Sequence, residues 1–496
     1  MATIVLDPAA RVGEIHRRVF GSFVEHMGRA VYGGIYEPGH PTADENGFRG
    51  DVLALARELG VTTVRYPGGN FVSSYRWEDG VGPVEDRPRR LDLAWRSLET
   101  NAVGTNEFMR WCASAGVEPM MAVNIGTRGT EAAVDLLEYC NHPGGTALSD
   151  LRRSHGVEKP HDVRLWCLGN EMDGPWQIGQ MTADQYGRAA LDMARAMRRV
   201  DPTLELVAVG SSGRAMPTFG TWERTVLGHT YEEVDLISAH AYYEEKDGDL
   251  ASFLASGADM DAFIDGVVAA ADEVGAAKGA SKRIDISFDE WNVWYLQNTM
   301  DADVSGFPVA PPLAEDDYTL ADAVVVGDLL VTLLRHADRV KAACLAQLVN
   351  VIAPIRTETG GRAWRQSTFH PFALTARHAQ PLVLRTEVDG PRHETAAHGE
   401  VATIDAVATW DEARAVTVIA VNRDVANPQP LRVELGALGK AASATATVLA
   451  GDDPHTVNTA DDERVAPRDL PVTLDGDAAE ITLPPVSWAM IRVELA

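Results

Sequence analysis

Short apolar runs alternate with helix-like segments through most of the chain. Each run is apolar and bounded by turn residues, which is typical of a buried strand. Eight such runs occur, at 19–25, 61–66, 119–124, 163–168, 204–210, 234–240, 284–290 and 340–347. Eight strands that alternate with helices predict an α/β fold, a (β/α)8 TIM barrel over residues 16–381.

The segments between these runs have helical spacing and recognisable ends. Thr105 can cap a helix whose apolar face continues to Ala115, and Gly116 can end it. Thr182 can cap the next well-marked helix. Further helical patterns lie at 50–59, 260–273 and 321–336. These segments supply the helices that a barrel of this type needs.

The pattern changes near residue 382. The segments VATIDAVATW, AVTVIAVNR, LRVELGAL, ATATVLAG and WAMIRVELA are β-branched and separated by turn-rich stretches, as in an antiparallel sandwich. The apolar run at residues 3–6 is too short to form a domain, and chain ends often lie close together. We therefore predict an all-β, jelly-roll-like sandwich domain formed by residues 1–15 and 382–496.

The overall composition narrows the possible partners. With 45% hydrophobic and 23% charged residues the chain is typical of a soluble globular protein. A formal net charge of -28 argues against nucleic acid and anionic membrane surfaces, because both would repel it. The sequence predicts neither a signal peptide nor a membrane helix. The cysteines lack CxxC spacing and are expected to be reduced, buried thiols of a cytoplasmic protein; they are Cys112, Cys140, Cys167 and Cys344.

Polar side chains collect at the carboxyl ends of the predicted strands, which is where a TIM barrel has its active site. Two of these ends are alike: the run 163–168 is followed by Gly169, Asn170 and Glu171, and the run 284–290 ends in Glu290. Two strand ends that present glutamates predict a glycosidase with Glu171 as acid/base and Glu290 as nucleophile. The strand ends carry Glu25, Arg65, Asn124, Asn170, Glu171, Ser211, Ser212, His240, Glu290 and Gln347.

The proposed chemistry is that of a retaining glycosidase, which holds its two carboxyl groups about 5 to 5.5 Å apart. At that separation the pair should share one proton near neutral pH. Glu290 would attack the anomeric carbon while Glu171 protonates the leaving oxygen and later activates water. Arg65 by its charge and Tyr242 by a hydrogen bond could keep Glu290 ionised.

Further residues of these segments suit a sugar. Asn170 could bind a ring hydroxyl, provided that the strand ends or bulges at Gly169, because neighbouring strand residues face opposite ways. His240 could orient a carboxylate or bind a hydroxyl. Trp176, Trp291 and Trp294 offer flat apolar faces against which a sugar can stack.

Each candidate also has a structural interpretation. Asp173 and Asp289 compete for the catalytic roles, or could cap helices. His240 could be a satisfied core histidine, Arg65 could neutralise a buried acid, and the tryptophans could serve packing.

Two alternative functions stay open at this point. One is a metal-dependent hydrolase with Glu25, His240 and Glu290 as ligands, although no HxH pair or helical HxxxH supports it, and chelation would test it. The other is a sugar-binding module without catalysis.

Five long motifs stand out in the chain: GSFVEHMGRAVYGGIYEPG, RYPGGNF, GNEMDGPWQIG, SAHAY and DEWNVWY. They resemble motifs of the α-L-arabinofuranosidases of glycoside hydrolase family 51, in the large barrel clan of retaining glycosidases, and the similarity covers nearly the whole chain. The resemblance implies a barrel followed by a sandwich that the first residues join, a hexamer, acid/base Glu171 and nucleophile Glu290. It further implies furanose or nucleophile contacts from Glu25, Asn70, Asn170, His240, Tyr242 and Gln347, and pocket walls from Trp95 and Trp294.

The expected function is that of a cytoplasmic, exo-acting enzyme of arabinan catabolism. It would release terminal non-reducing α-L-arabinofuranosyl residues from arabino- or arabinoxylo-oligosaccharides without a metal or organic cofactor. The alternatives within this fold are a β-xylosidase and an endo-glucanase. The loop after Asn292, which contains VSGFPVAPP, is where family members differ, so substrate length is open.

Overall fold

Eight parallel strands close into a barrel in the computed structural model, which describes residues 1–496. The predicted (β/α)8 fold is therefore confirmed. Each strand pairs with the next along the chain, and the eighth pairs with the first. The first to eighth barrel strands are, in order, Gly21–Phe23, Thr63–Tyr66, Glu118–Ala122, Leu165–Cys167, Glu205–Ala208, Leu236–Tyr243, Asp285–Val293 and Val340–Leu345.

Helices surround the barrel and occupy the regions that helical spacing indicated. Thr182 caps its helix as predicted, since its hydroxyl accepts a hydrogen bond from the Gln185 N–H at 3.3 Å. The prediction for Thr105 was wrong, because the N-cap of that helix is Gly104 and Thr105 is its first residue. None of the helices is both long and apolar enough to cross a membrane. They are Gly50–Leu59, Thr105–Ala115, Thr130–Asn141, Ala147–Ser154, Ala183–Val200, Thr221–Thr230, Leu250–Leu254, Ser256–Lys278, Leu296–Met300, Leu320–Arg335 and Phe369–His378.

Two sheets form the sandwich, and both contain a strand from the N-terminus. The five-stranded sheet has the order Val388–Asp389, Ala2–Val5, Gln429–Glu434, Ala478–Leu483 and Thr473–Asp475. The seven-stranded sheet has the order Arg11–Glu14, Leu382–Leu384, Ile404–Trp410, Ala415–Asn422, Ser487–Leu495, Ala441–Leu449 and Arg468–Leu470. Ala2–Val5 pairs in parallel with Gln429–Glu434, so the predicted antiparallel pattern has one exception. The division at residues 15 and 381 stays a prediction.

Three small antiparallel pairs lie outside these sheets. The pair Arg90–Asp92 and Ser97–Glu99 forms a hairpin after the second barrel strand. The other two pairs are Ile355–Thr357 with Ala363–Arg365 and Arg392–Thr395 with Gly399–Ala402.

The helix Leu320–Arg335 lies between the barrel and the sandwich. Every residue from Leu320 to Leu334 is buried, as expected for a helix that is apolar on all sides. Its Asp328 carboxylate accepts hydrogen bonds at 2.7 Å from Arg423 of the sandwich. This helix starts at the carboxyl end of the barrel, so its first turn lies on the side of the candidate active site.

Candidate active site

The chain leaves the fourth barrel strand at Cys167, and both polar residues that follow turn into the barrel mouth. Gly169 and Glu171 have φ of 109° and 45°, values that break the alternation of strand side chains. A side chain at Gly169 would approach Ile125 Cγ2 to 2.5 Å, so glycine is required there. The condition for Asn170 and Glu171 to reach the same site is therefore met.

Glu171 and Glu290 face each other across the barrel mouth. One carboxylate oxygen of each, together with a ring nitrogen of His240, forms a group whose members all lie within 4.8 Å of one another. The two glutamates are 7% and 6% exposed, so both carboxylates are largely shielded from solvent. These two carboxylates, one after strand four and one on strand seven, lie close enough to act on one bond.

Both oxygens of Glu290 accept hydrogen bonds. Arg65 Nη1 donates to Oε1 at 2.7 Å, and Tyr242 Oη donates to Oε2 at 2.8 Å. Arg65 Nη2 also donates to Asn170 Oδ1 at 2.9 Å, which ties the second and fourth strand ends together. Burial raises the pKa of Glu290, while the charges of His240 and Arg65 oppose that rise. The predicted partners of Glu290 thus contact it directly.

His240 lies between two carboxylates. Its Nδ1 is 2.9 Å from Glu171 Oε1, and its Nε2 is 3.0 Å from Asp289 Oδ1. Burial alone would lower its pKa, but the charge of Glu290 and the hydrogen bonds to Asp289 and Glu171 raise the pKa of His240 to about 10. With an acceptor at each nitrogen, the ring is a doubly donating imidazolium at neutral pH.

Asp289 is the fully buried partner that the sequence suggested only as a competitor of Glu290. Its Oδ2 lies 3.5 Å from Arg65 Nε and 3.5 Å from Cys167 Sγ. Although burial opposes its charge, Arg65 and His240 hold the pKa of Asp289 below its ordinary value. A carboxylate inside an apolar strand needs a cationic partner, and that requirement was the available signal for its contact with His240.

The second oxygen of Glu171 contacts an exposed indole. Trp176 Nε1 donates to Glu171 Oε2 at 2.6 Å, and the Trp176 side chain is 51% exposed. The prediction for Trp291 was wrong, because its ring is fully buried and stacks on Phe372 outside the barrel mouth. Trp294 packs edge-on against Tyr242, with ring centroids 4.9 Å apart.

Glu25 follows the first barrel strand, and its carboxylate and that of Glu290 both lie close to Gly69. Its Oε1 accepts hydrogen bonds at 2.9 Å from the Phe71 N–H and from Trp95 Nε1. Its own N–H donates to Gln347 Oε1 at 3.0 Å. Burial raises the pKa of Glu25 to about 8, against the effect of those two donors. Asn70 Oδ1 lies 3.4 Å from Asn170 Nδ2.

Other polar strand ends make contacts away from the two glutamates. Asn124 donates to the Tyr75 carbonyl and to Thr127, both at 2.9 Å. Asp173 Oδ2 accepts from the Ser212 N–H at 3.1 Å, and burial raises the pKa of Asp173 to about 6. Ser211 donates its N–H to Glu223 at 2.9 Å. These residues line the surroundings of the glutamate pair.

The residues at the barrel mouth are poorly suited to bind a metal ion. Only Glu171, His240 and Glu290 lie close enough together to share one, and Glu25, a ligand in the metal alternative, is not among them. Both ring nitrogens of His240 already contact carboxylates, and both oxygens of Glu290 already accept hydrogen bonds. The cations His240 and Arg65 therefore already occupy the carboxylate oxygens that a metal ion would need.

The chain is similar to known arabinofuranosidases over its whole length. Residues 55–253 match the family "Alpha-L-arabinofuranosidase 1 domain", and residues 289–487 match "Alpha-L-arabinofuranosidase C-terminal domain". An intracellular exo-α-(1→5)-L-arabinofuranosidase of Streptomyces lividans is 57% identical over 99% of this chain and 75% of its own. An exo-α-(1→6)-L-arabinofuranosidase of Bifidobacterium longum is 52% identical over 99% and 97%. The solved structure of a family 51 α-L-arabinofuranosidase from Bifidobacterium longum has a TM-score of 0.96 at 51% identity, with 99% of each chain covered.

Proposed function

Because the chain belongs to the α-L-arabinofuranosidases of glycoside hydrolase family 51, we propose that it is an exo-acting enzyme that hydrolyses terminal α-L-arabinofuranosides with retention of configuration. Relatives that are 50 to 57% identical have names that specify exo-acting arabinofuranosidases. A β-xylosidase or endo-glucanase is not favoured by these comparisons.

The distance between Glu171 and Glu290 is the main support for retention. Their nearest oxygens are at most 4.8 Å apart. An inverting enzyme holds its carboxyl groups about 6.5 to 9.5 Å apart, so that a water can stand beside the anomeric carbon. The oxygens here approach each other more closely than that separation, which supports retention.

In the first step Glu290 attacks the anomeric carbon. Arg65 and Tyr242 hold its carboxylate in place, and Glu171 transfers a proton to the glycosidic oxygen as the bond breaks. The imidazolium of His240 donates to Glu171 Oε1, whereas Oε2 meets only the neutral, half-exposed indole of Trp176, so Oε2 carries the proton in this proposal. His240 therefore acts as an orienting cation in this proposal.

In the second step Glu171, now ionised, removes a proton from water. The water attacks the anomeric carbon of the glycosyl ester, and Glu290 leaves as a carboxylate. Its two hydrogen-bond donors stabilise the returning charge. Glu25, Asn70, Asn170, Trp95 and Gln347 surround the position of the furanose in this proposal.

The substrate class is short arabinofuranosyl-containing oligosaccharides. Two relatives with similar identity to this chain are named for different linkages, (1→5) and (1→6), so a panel of linked disaccharides is the test of linkage. A cytoplasmic location is proposed because several relatives have names that include "intracellular". A hexamer is proposed from the family resemblance, and light scattering would measure it.

The first experiment follows the hydrolysis of an aryl α-L-arabinofuranoside by proton NMR. We expect the α-anomer of arabinofuranose to appear first and the β-anomer only after mutarotation. Initial release of the β-anomer would overturn the retaining mechanism, and absence of turnover would overturn the proposed activity.

The second experiment assigns the two roles. Glu171→Ala should retain activity on substrates with good leaving groups, and added azide should accelerate it and give the α-azide, the retained product. Glu290→Ala should give only the inverted β-azide, because no glycosyl ester forms. The same azide from both variants would contradict the assignment.

A further inference from the structure

A long loop of the sandwich reaches the carboxyl end of the barrel. It joins the strands Ala441–Leu449 and Arg468–Leu470, which pair directly with Val448 opposite Arg468. A two-residue turn could connect strands in this arrangement, yet the chain uses residues 450–467, here called the docking loop. Loops longer than about 12 to 15 residues usually have a function of their own.

The docking loop is ordered and contacts the first turn of the buried helix Leu320–Arg335. The Leu320 N–H donates to the Thr456 carbonyl at 2.9 Å, and the Ala321 N–H donates to the Pro454 carbonyl at 2.8 Å. These are amides that a helix leaves without partners at its N-terminus. Within the loop, Asn458 closes a ring of hydrogen bonds with the backbone of Val465.

The same helix turn holds the segment that carries Trp294. Tyr295 Oη donates to Asp322 Oδ1 at 2.8 Å, while Asp322 Oδ2 accepts from the Thr319 N–H and hydroxyl at the helix cap. Tyr295 directly follows Trp294, whose ring packs against Tyr242. Tyr242 in turn donates to Glu290, so an unbroken series of contacts links the loop to the proposed nucleophile.

A second contact joins the docking loop to the neighbouring barrel loop. His455 Nε2 lies 2.9 Å from Glu245 Oε2, and Glu245 follows the sixth barrel strand, which carries His240 and Tyr242. The docking loop therefore touches the two barrel loops whose strands carry Glu290 and its hydrogen-bond donor Tyr242.

We propose that the sandwich positions the Trp294 wall of the active site through the docking loop and Tyr295. Tyr295 is a positioning residue in this proposal, since it acts through Trp294 and does not touch the reacting atoms. The proposal rests on the proposed function, because Trp294 is taken as a pocket wall only from the resemblance to the arabinofuranosidase family. It gives the sandwich a role in substrate binding that its distance from the glutamates would not suggest.

The test replaces residues 450–467 with the three residues Asn-Gly-Thr. This provides a two-residue turn and keeps Val448 opposite Arg468. A wall contact made equally in the ground state and the transition state changes KM and leaves kcat alone. We therefore expect KM for an arabino-oligosaccharide to rise about fivefold, the scale of a mutation along a coupled network, with little change in kcat.

Tyr295→Phe is the second variant, since the loop replacement also removes packing and could lower stability. It deletes only the hydroxyl that donates to Asp322 and should raise KM in the same direction. Tyr231→Phe is the matched control, because it deletes a hydroxyl that donates to the Lys282 carbonyl at 3.2 Å, away from the barrel mouth. The control should leave both constants unchanged.

The double variant distinguishes positioning from a merely structural effect. If loop and tyrosine act through one series of contacts, the combined rise in KM should not exceed that of the loop replacement alone. Multiplied effects, or KM values no different from those of Tyr231→Phe, would overturn the proposal. Wild-type turnover tests the proposed function separately, because the proposal concerns only the ratio of each variant to the wild type.

Discussion

Asp289→Asn is the sharpest test of the charge arrangement around His240. Asp289 is fully buried and its contacts are His240, Arg65 and Cys167. The substitution keeps the size of the side chain and removes its charge. The asparagine can satisfy only one of the two cationic neighbours. If its amide oxygen still accepts from His240, its NH2 group, a donor, faces the Arg65 cation. If the amide is flipped, the NH2 group faces His240, whose Nε2 must then be an acceptor, so the ring cannot be an imidazolium.

The magnitude follows from the pKa of His240. A rise from 6.5 to about 10 corresponds to on the order of 5 kcal/mol that favours the imidazolium at 1.36 kcal/mol per pH unit. Asp289 supplies part of this by its charge and its hydrogen bond. Removal of one partner from a buried ion pair costs about 3 to 5 kcal/mol of folding stability. For catalysis we expect a loss of up to about 100-fold in kcat, because a hydrogen bond to a charged group contributes about 1.5 to 3 kcal/mol.

The assay compares kcat on an aryl arabinofuranoside between pH 5 and 9. Loss of the Asp289 charge lowers the pKa of His240, so the variant loses its imidazolium at a lower pH than the wild type. The ratio of wild-type to variant kcat should therefore rise with pH, while ionisations common to both cancel. Protonation of His240 also stabilises the folded wild type, because the pKa of His240 is higher in the folded state than in the unfolded state. This contribution is complete below about pH 6.5 and is lost as pH rises toward 10. The Tm difference between the wild type and Asp289→Asn should therefore become smaller over that range.

Asp328→Asn controls for the loss of folding stability that is expected when any buried, paired aspartate loses its charge. Asp328 is also fully buried and pairs with Arg423 at the sandwich, so its loss should lower Tm by a similar amount but leave kcat nearly unchanged. A kcat ratio for Asp289→Asn that is flat with pH, or a kcat equal to that of Asp328→Asn, would refute the assignment of His240 as an orienting cation.

Two further predictions concern the walls of the site. Glu25 has a pKa of about 8 in the folded state against 4.5 for the free side chain. Between these pH values Glu25 is protonated in the folded protein but ionised in the unfolded chain, so the free energy of unfolding falls as pH rises. Glu25→Gln should remove this dependence, so its Tm should equal that of the wild type near pH 5 and be higher near pH 9. If the two proteins had the same Tm at every pH, Glu25 would not be a buried carboxylic acid that is neutral at pH 7. Trp176→Phe removes the donor to Glu171 Oε2 and should lower kcat/KM about fivefold on an oligosaccharide, the scale of one lost hydrogen bond. The loss should be smaller on an aryl substrate with a good leaving group, and equal losses would argue against a role in proton transfer.

The barrel and its polar rim could be predicted because parallel strands have a strong sequence pattern. The runs before Glu171 and Glu290 are apolar, short and end at polar residues, and only a barrel brings eight such ends together. Trp291 marks the limit of this reasoning. The seventh strand is buried on both faces, so hydrophobic periodicity does not tell which side chains point into the barrel and which point to the helices. The sequence therefore predicted the strand on which Trp291 lies, but not that its ring packs against Phe372 and not into the barrel mouth.

Contacts between distant backbone groups were beyond sequence reasoning. The docking loop binds the helix at Leu320 and Ala321 through the carbonyls of Pro454 and Thr456, and a carbonyl leaves no signature in the side-chain pattern. The N-cap at Gly104 was missed for a related reason, since its extended backbone and the neighbouring Glu107, not a capping hydroxyl, define the helix start. Polar residues that recur at strand ends could be predicted from the sequence. The contacts between the docking loop and the helix could not, because backbone groups make them.

The alternation of charge in the site gives each glutamate a different environment. Glu290 is flanked by Arg65 and Tyr242, which both donate to it, so its charged form is held by fixed donors on both oxygens. Glu171 receives one bond from His240 and one from the half-exposed indole of Trp176, so one of its oxygens lies toward the entrance where a leaving group departs. A nucleophile must remain ionised and rigid, whereas an acid/base must exchange a proton with the leaving oxygen and with water. The neighbours therefore favour the proposed roles, because an exchange would require a proton on Glu290, where Arg65 and Tyr242 already donate to both oxygens, and not on Glu171, whose Oε2 meets only the half-exposed indole of Trp176.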